Sequence, residues 1–212
     1  MSSSELNPQH VEEIEFLRQG GEQAVAELFS KYQEPLGRMV DFRLDRRLYG
    51  RIDAADVLQE SYIEISRRVH EFLDNATVSF FVWARQITWQ NVLMTHRRHL
   101  GAQKRDAAQE VSLNARANPN ATSLSLAAQL VAHMTSPSQA AVREERLTQL
   151  RKALDSMDEV DQEVLALRHF EHLSNNEVAQ ILGLQKTAAS NRYVRALKRL
   201  KEILDNVMPN DQ

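Results

Sequence analysis

Apolar side chains recur every three to four residues along most of this 212-residue chain. That is the spacing at which side chains share one face of an α-helix, so the pattern restricts the chain to packed helices. Ala24, Leu28, Tyr32, Leu36 and Val40 form one stripe. Val57, Tyr62, Ile65 and Val69 begin a second, and Phe80, Trp83, Ile87 and Met94 lie along a third. Gly20-Gly21 separates a short first helix from the next. Few segments alternate as strands do, and six glycines with five prolines are few for a turn-rich β protein. The expected fold class is all-α.

The period lapses over residues 106–138, which are rich in Ala, Ser, Asn and Gln, lack aromatics and include Pro119 and Pro137. A stretch of that length inside one compact domain is unusual, so it marks a boundary. The expected organisation is an N-terminal segment with a short helix over 1–23 and a helical bundle over 24–105. A flexible linker with one weak helix over 125–133 follows over 106–140. A second helical domain occupies 141–204, and a tail 205–212. In the second domain Leu147, Leu150, Leu154 and Met157 restore the period. Ser156 with Glu159, and Ser174 with Glu177, have the spacing of capping boxes. The first is expected to open a helix carrying Val160, Val164, Leu167 and Phe170. The second opens a short helix with Val178, Ile181 and Leu182, which Gly183 ends.

Charge is distributed unevenly. The net charge is −3, yet two runs contain basic residues and no acid. One holds Arg85, Arg97, Arg98, Lys104 and Arg105; the other holds Lys186, Arg192, Arg195, Lys198, Arg199 and Lys201. With these eleven set aside, 15 basic residues face all 29 acidic ones, so the rest of the chain is acidic. Two basic patches on an acidic body suit two contacts with a polyanion, the plainer reading being two solvated helix faces.

Several classes are disfavoured. The absence of cysteine excludes disulfides and thiolate metal sites. His96 and His99 share a helix-face spacing but lack an evident third ligand, so no metal is expected. There is no Gly-rich phosphate loop and no defensible Ser, His and Asp arrangement; no catalytic residue and no cofactor are expected. The polar first nine residues do not read as a signal peptide, and no apolar run approaches the roughly 18–20 residues that span a bilayer. A soluble, cytoplasmic, non-enzymatic protein is expected.

The most specific local signal lies between Ser174 and Leu200. A short helix, a tight turn at Gly183-Leu184 and a basic helix describe a helix-turn-helix, whose second helix enters the major groove leading end first. Ala179, Ile181, Leu184, Ala189, Val194 and Leu197 are spaced to hold the pair together. Lys186, Thr187, Ser190, Asn191 and Arg192 project from the leading turns, while Arg195, Lys198 and Arg199 lie further along and are expected to contact backbone or solvent. Asn can read adenine, Arg guanine, and Lys, Ser and Thr can hold phosphates. In the first domain, Asp53 suits the start of a helix, with Asp56, Gln59 and Glu60 on one polar face.

At this point the sequence resembles the extracytoplasmic-function group of sigma-70 family sigma factors. Asp53-Ala-Ala-Asp56-Val-Leu-Gln59-Glu60 is similar to that family's polymerase-binding motif, which docks on the clamp of the largest subunit. Leu17-Arg18-Gln19-Gly20 with the helix from Ala24 to Leu36 resembles its first conserved helix. Ser79-Phe80-Phe81-Val82-Trp83, with Ile87 and Arg97-Arg98, resembles the helix that recognises and opens the minus-ten element. The stretch from Leu154 to Leu200 resembles the fourth conserved region, which binds the minus-thirty-five element. The resemblance implies a region 2-like bundle and a region 4-like helix-turn-helix. It implies core RNA polymerase and promoter DNA as partners, with an anti-sigma factor as a further candidate. It places Asp53, Asp56, Gln59 and Glu60 against polymerase, and a flipped base near Asp74 and Asn75. Trp89 and Gln90 fall on the minus-ten helix, where Trp89 is expected to be exposed. Arg97, Arg98, Lys104 and Arg105 would grip phosphates. Gln90 stands where the group commonly has Asn. Gln185 stands where Ser or Thr commonly caps the recognition helix, which is therefore expected to start at Thr187. The alternatives are a free-standing helix-turn-helix regulator with a helical dimerisation or sensor domain, and a helical adaptor.

Overall fold

Gly21 sets the geometry of the first helix. In the computed structural model of the chain, which describes residues 8–100, 119–134 and 140–207, its φ of 53° and ψ of −136° break α1 (Pro8–Arg43) into a short and a long arm. An L-side chain is strained at such a φ, so glycine suits the bend. The short arm packs back along the long one. The buried Glu13 carboxylate accepts hydrogen bonds from the Lys31 ammonium, at 2.7 Å, and from the Tyr32 hydroxyl. Ile14 and Leu17 are buried beside that contact.

The chain divides into two compact units, Met1–Asn114 and Ala115–Gln212. In the first, a 3₁₀ turn (Arg46–Leu48) leads to α2 (Ala54–Asp74) and α3 (Phe80–Leu100), and each of the three helices packs on the other two. α2 is amphipathic, burying Val57, Leu58, Ser61, Ile65, Val69 and Phe72 at helical spacing. α3 is buried on nearly every side along its first four turns, which makes it the central helix. Its interior polar groups are satisfied. The Asn91 amide donates to the Ser61 hydroxyl at 3.1 Å, and that hydroxyl donates to the Val57 carbonyl at 2.7 Å. Phe72, Phe80 and Trp83 form an aromatic cluster with ring centroids 5.0–5.9 Å apart. Phe80 and Trp83 are both core residues.

The second unit contains α4 (Pro119–Met134), α5 (Ala140–Leu154), α6 (Glu159–Leu165), α7 (Asn175–Leu182) and α8 (Lys186–Val207). α6 runs on into a π-helical turn, Ala166–Phe170. Within the stretch expected to link the domains, α4 is a sixteen-residue helix that packs on α5 and α6. It buries Leu126, Ala127 and Val131. The Thr122 hydroxyl donates to Glu163 at 2.9 Å and the Ser123 hydroxyl to Asp155 at 2.6 Å. The remainder of that stretch, 106–118 and 135–139, lies outside the described residues. α6 is capped by Asp158, not Ser156. Asp158 accepts from the Val160 and Asp161 N–H groups at 3.0 and 3.3 Å, while the Ser156 hydroxyl turns back to the Ala153 carbonyl. A carboxylate accepts at a positive helix end more strongly than a hydroxyl, which explains the preference. Among the described residues there is no strand. No described helix is long and apolar enough to cross a membrane, and no described group of three His, Cys, Asp or Glu could hold a metal.

Candidate nucleic-acid interface

The pair α7–α8 is built by local signals. Ser174 and Glu177 form a reciprocal capping box, the Ser174 hydroxyl accepting from the Glu177 N–H and the Glu177 carboxylate from the Ser174 N–H. Gly183 ends α7 in the left-handed conformation, φ 63° and ψ 33°. The Asn175 amide donates to the Lys186 carbonyl at 2.7 Å, tying the first turn of α7 to the first turn of α8. α8 begins at Lys186, one residue ahead of the expected start, and the Gln185 carbonyl accepts the Ala189 N–H.

On α8 the buried side chains are Ala189, Ala196, Leu200 and Ile203. Lys186, Thr187, Ser190, Asn191 and Arg195 are all exposed, so the leading turns present the expected polar set to solvent. Val194 and Leu197, expected to hold the helices together, are 50% and 37% exposed. Small Ala189 and Ala196 allow a close approach and take over that packing. Arg192 differs from its exposed neighbours: its Nη1 donates to Asp161 at 2.7 Å and to Asp158 at 3.0 Å. Those bonds, the Asp161 bond foremost, raise its pKa above the usual arginine value.

In the first unit the basic run does not form one surface. Arg85 is buried, and Lys104 and Arg105 lie outside the described residues. Arg97 is exposed; Arg98 is exposed and pairs with Glu60 across to α2 at 3.3 Å. Gln90 is half-buried at the edge of the same face. Met94, counted by its spacing in the apolar stripe, is 40% exposed between Gln90 and Arg97. Its position four after Gln90 and three before Arg97 is the signal that places it there. Trp89 reverses the expectation. It is buried at 6% exposure, with the Arg43 guanidinium 5.0 Å from its ring. Because α3 is central, the ring turns inward and is unavailable to DNA. Asp74 and Asn75 sit exposed at the C-terminal end of α2, where the Asn75 carbonyl accepts the Thr77 N–H. Phe72 and Phe80, which flank this loop in sequence, pack together behind it.

The start of α2 is capped as its sequence suggests. Asp53 accepts the Asp56 N–H and Asp56 accepts the Asp53 N–H, both at 3.0 Å. Gln59 and Glu60 are exposed beyond the box. Beside Gln59 runs a largely apolar groove of about 480 Å³ between α1 and α2, lined by Phe29, Leu58, Tyr62 and Ile63 among others. Ile63 is 49% exposed on its rim. The groove is a feature that the polar motif alone did not reveal.

The family described as sigma-70, region 4, matches residues 147–200. No curated protein matches the chain. Solved structures that match include that of CnrH in complex with the cytosolic domain of CnrY, at 18% identity and a TM-score of 0.49, over 93% of this chain and 97% of that one.

Proposed function

We propose that this chain, whose residues 147–200 match the family described as sigma-70, region 4, is an alternative sigma factor of the extracytoplasmic-function type that binds core RNA polymerase and directs promoter-specific initiation. The observation that carries the reading is the C-terminal module. Residues 147–200 match region 4, and within them lies a capped, glycine-ended helix pair with an exposed polar leading face on its second helix. Such a helix can enter the major groove and present Lys186, Thr187, Asn191 and Arg195 to bases and phosphates.

The roles assigned to the first unit rest on the resemblance together with placement. Gln59, which lines the apolar groove, and the exposed Glu60, which pairs with Arg98, supply polar groups beside an apolar area on which a polymerase helix can dock. Asp53 and Asp56 shape that surface by fixing the helix end. Gln90, Met94, Arg97 and Arg98 make the promoter-facing side of α3. Asp74 and Asn75 line the loop that would receive a base once it leaves the stack; unstacking costs a few kcal/mol, which a receiving pocket offsets. An anti-sigma partner is proposed on the resemblance alone.

Co-elution with core polymerase tests the docking surface. The full chain is expected to form a stoichiometric complex, and the double variant Gln59→Ala, Glu60→Ala to weaken it at unchanged helicity. A variant that binds core as tightly as the parent would remove Gln59 and Glu60 from the interface.

A further inference from the structure

Arg192 lies in the leading half of α8 but is held from behind by acids. Both of its acceptors are Oδ1 atoms at the N-terminal end of α6, and the Asp158 oxygen that it touches is also the cap of that helix. The Arg192 side chain is 28% exposed and that of Asp161 18%, so this is a partly desolvated contact. Asn191 and Arg195, on either side in sequence, are exposed. Reading a guanine takes two guanidinium donors aimed at its major-groove edge, and a good pair discriminates by about ten- to a hundredfold. Both bonds are made by Nη1, and turning the guanidinium outward to aim its donors at a base edge would give them up and strand a poorly exposed Asp161. Loss of a charge-assisted pair of this kind offsets a gain of that size. Together the arginine and the two acids also carry a net charge of −1, which gives no attraction for phosphate.

We propose that Arg192 is a positioning residue for upstream-element recognition: it pins the leading half of α8 to the start of α6 and neutralises Asp158 and Asp161, leaving base reading to Asn191 and Arg195. The inference rests on the DNA-binding reading of the module. Without the guanidinium, two carboxylates stand unpaired behind the recognition helix and repel a polyanion whatever its sequence.

The test uses holoenzyme reconstituted from core polymerase and the full chain. It measures affinity for duplexes carrying the upstream element and each single-base change, with the melting temperature of each variant followed in parallel. Arg192→Ala is expected to bind every duplex about tenfold more weakly, with the ratio between cognate and changed duplexes as in the parent. Arg195→Ala, by contrast, relaxes preference at one base pair. Adding Asp158→Asn and Asp161→Asn to Arg192→Ala is expected to restore most of the affinity, because Asn keeps the cap while the repelling charges are gone. A role in stability alone would show no such recovery. If Arg192→Ala folds poorly, Asp158→Asn with Asp161→Asn in the parent background decides the matter: preferences stay unchanged for a positioning residue and sharpen at one base pair for a freed base reader. Relaxed preference at one position in Arg192→Ala, or no recovery in the triple variant, overturns the proposal. A parent holoenzyme indifferent to the upstream element overturns the DNA-reading basis, and this assignment with it.

Discussion

The Asp56 carboxylate accepts the Asp53 N–H at 3.0 Å, so it is half of a capping box before it is anything else. Replacing Asp53 by Ala is expected to cost about 1 kcal/mol of stability in the first unit, measured by denaturant unfolding. Gln59→Ala, on the exposed face beyond the box, should cost almost none. A larger loss for Gln59 than for Asp53 would contradict the division between helix end and docking face. Trp89 carries the opposite lesson. Trp89→Ala is expected to cost about 3–5 kcal/mol, because it empties a site packed under Arg43, and to act through folding, with no separate effect on promoter opening. The caps at Asp53 and Ser174 were legible because each is set by a few adjacent residues. The burial of Trp89 and the exposure of Met94 were not. α3 is apolar around most of its circumference, so its sequence does not declare which side meets solvent.

At the scale of elements, the helix-turn-helix could be read directly because its punctuation is local: Ser174 to open, Gly183 to close. α4 could not. Its Ala, Ser and Asn composition reads as linker, yet Thr122, Ser123, Leu126, Ala127 and Val131 share the buried face. The two hydroxyls become interior groups only because Glu163 and Asp155 meet them. The turn between α1 and α2 has its own device. A His96 ring nitrogen accepts the Asp45 N–H at 3.1 Å. Burial holds the His96 pKa below the usual value of 6.5; Asp45 opposes that lowering and Arg47 adds to it. A base whose folded pKa lies below its unfolded one contributes stability that is complete above about pH 6.5 and is lost as pH falls toward the lower folded value. The melting temperature should therefore fall with acidity below pH 6.5 more steeply in the parent than in His96→Gln, whose amide oxygen can accept the same bond without titrating. Coincident pH profiles would show that this bond does not couple to folding.

At the scale of the whole molecule, the exposed leading face of α8 in one unit and the exposed Arg97 of α3 in the other are the places where the proposed function puts its two DNA contacts. The order of motifs suggested that organisation from sequence, while the α1–α2 groove, formed by residues from distant parts of the chain, needed the fold. Arg97 is exposed, so Arg97→Ala should flatten the log–log salt dependence of promoter binding by roughly 0.9. Asn75→Ala should leave upstream duplex binding near parental while opening declines. The proposed function requires that the chain confer promoter-specific opening on core polymerase. The most direct measurement is permanganate reactivity of thymines around the start site of a matched promoter, with core polymerase alone and with the full chain added. Reactive thymines are expected only when the chain and the matched promoter are both present. Reactivity that is the same with core alone, or the same on a scrambled promoter, would contradict the proposed function.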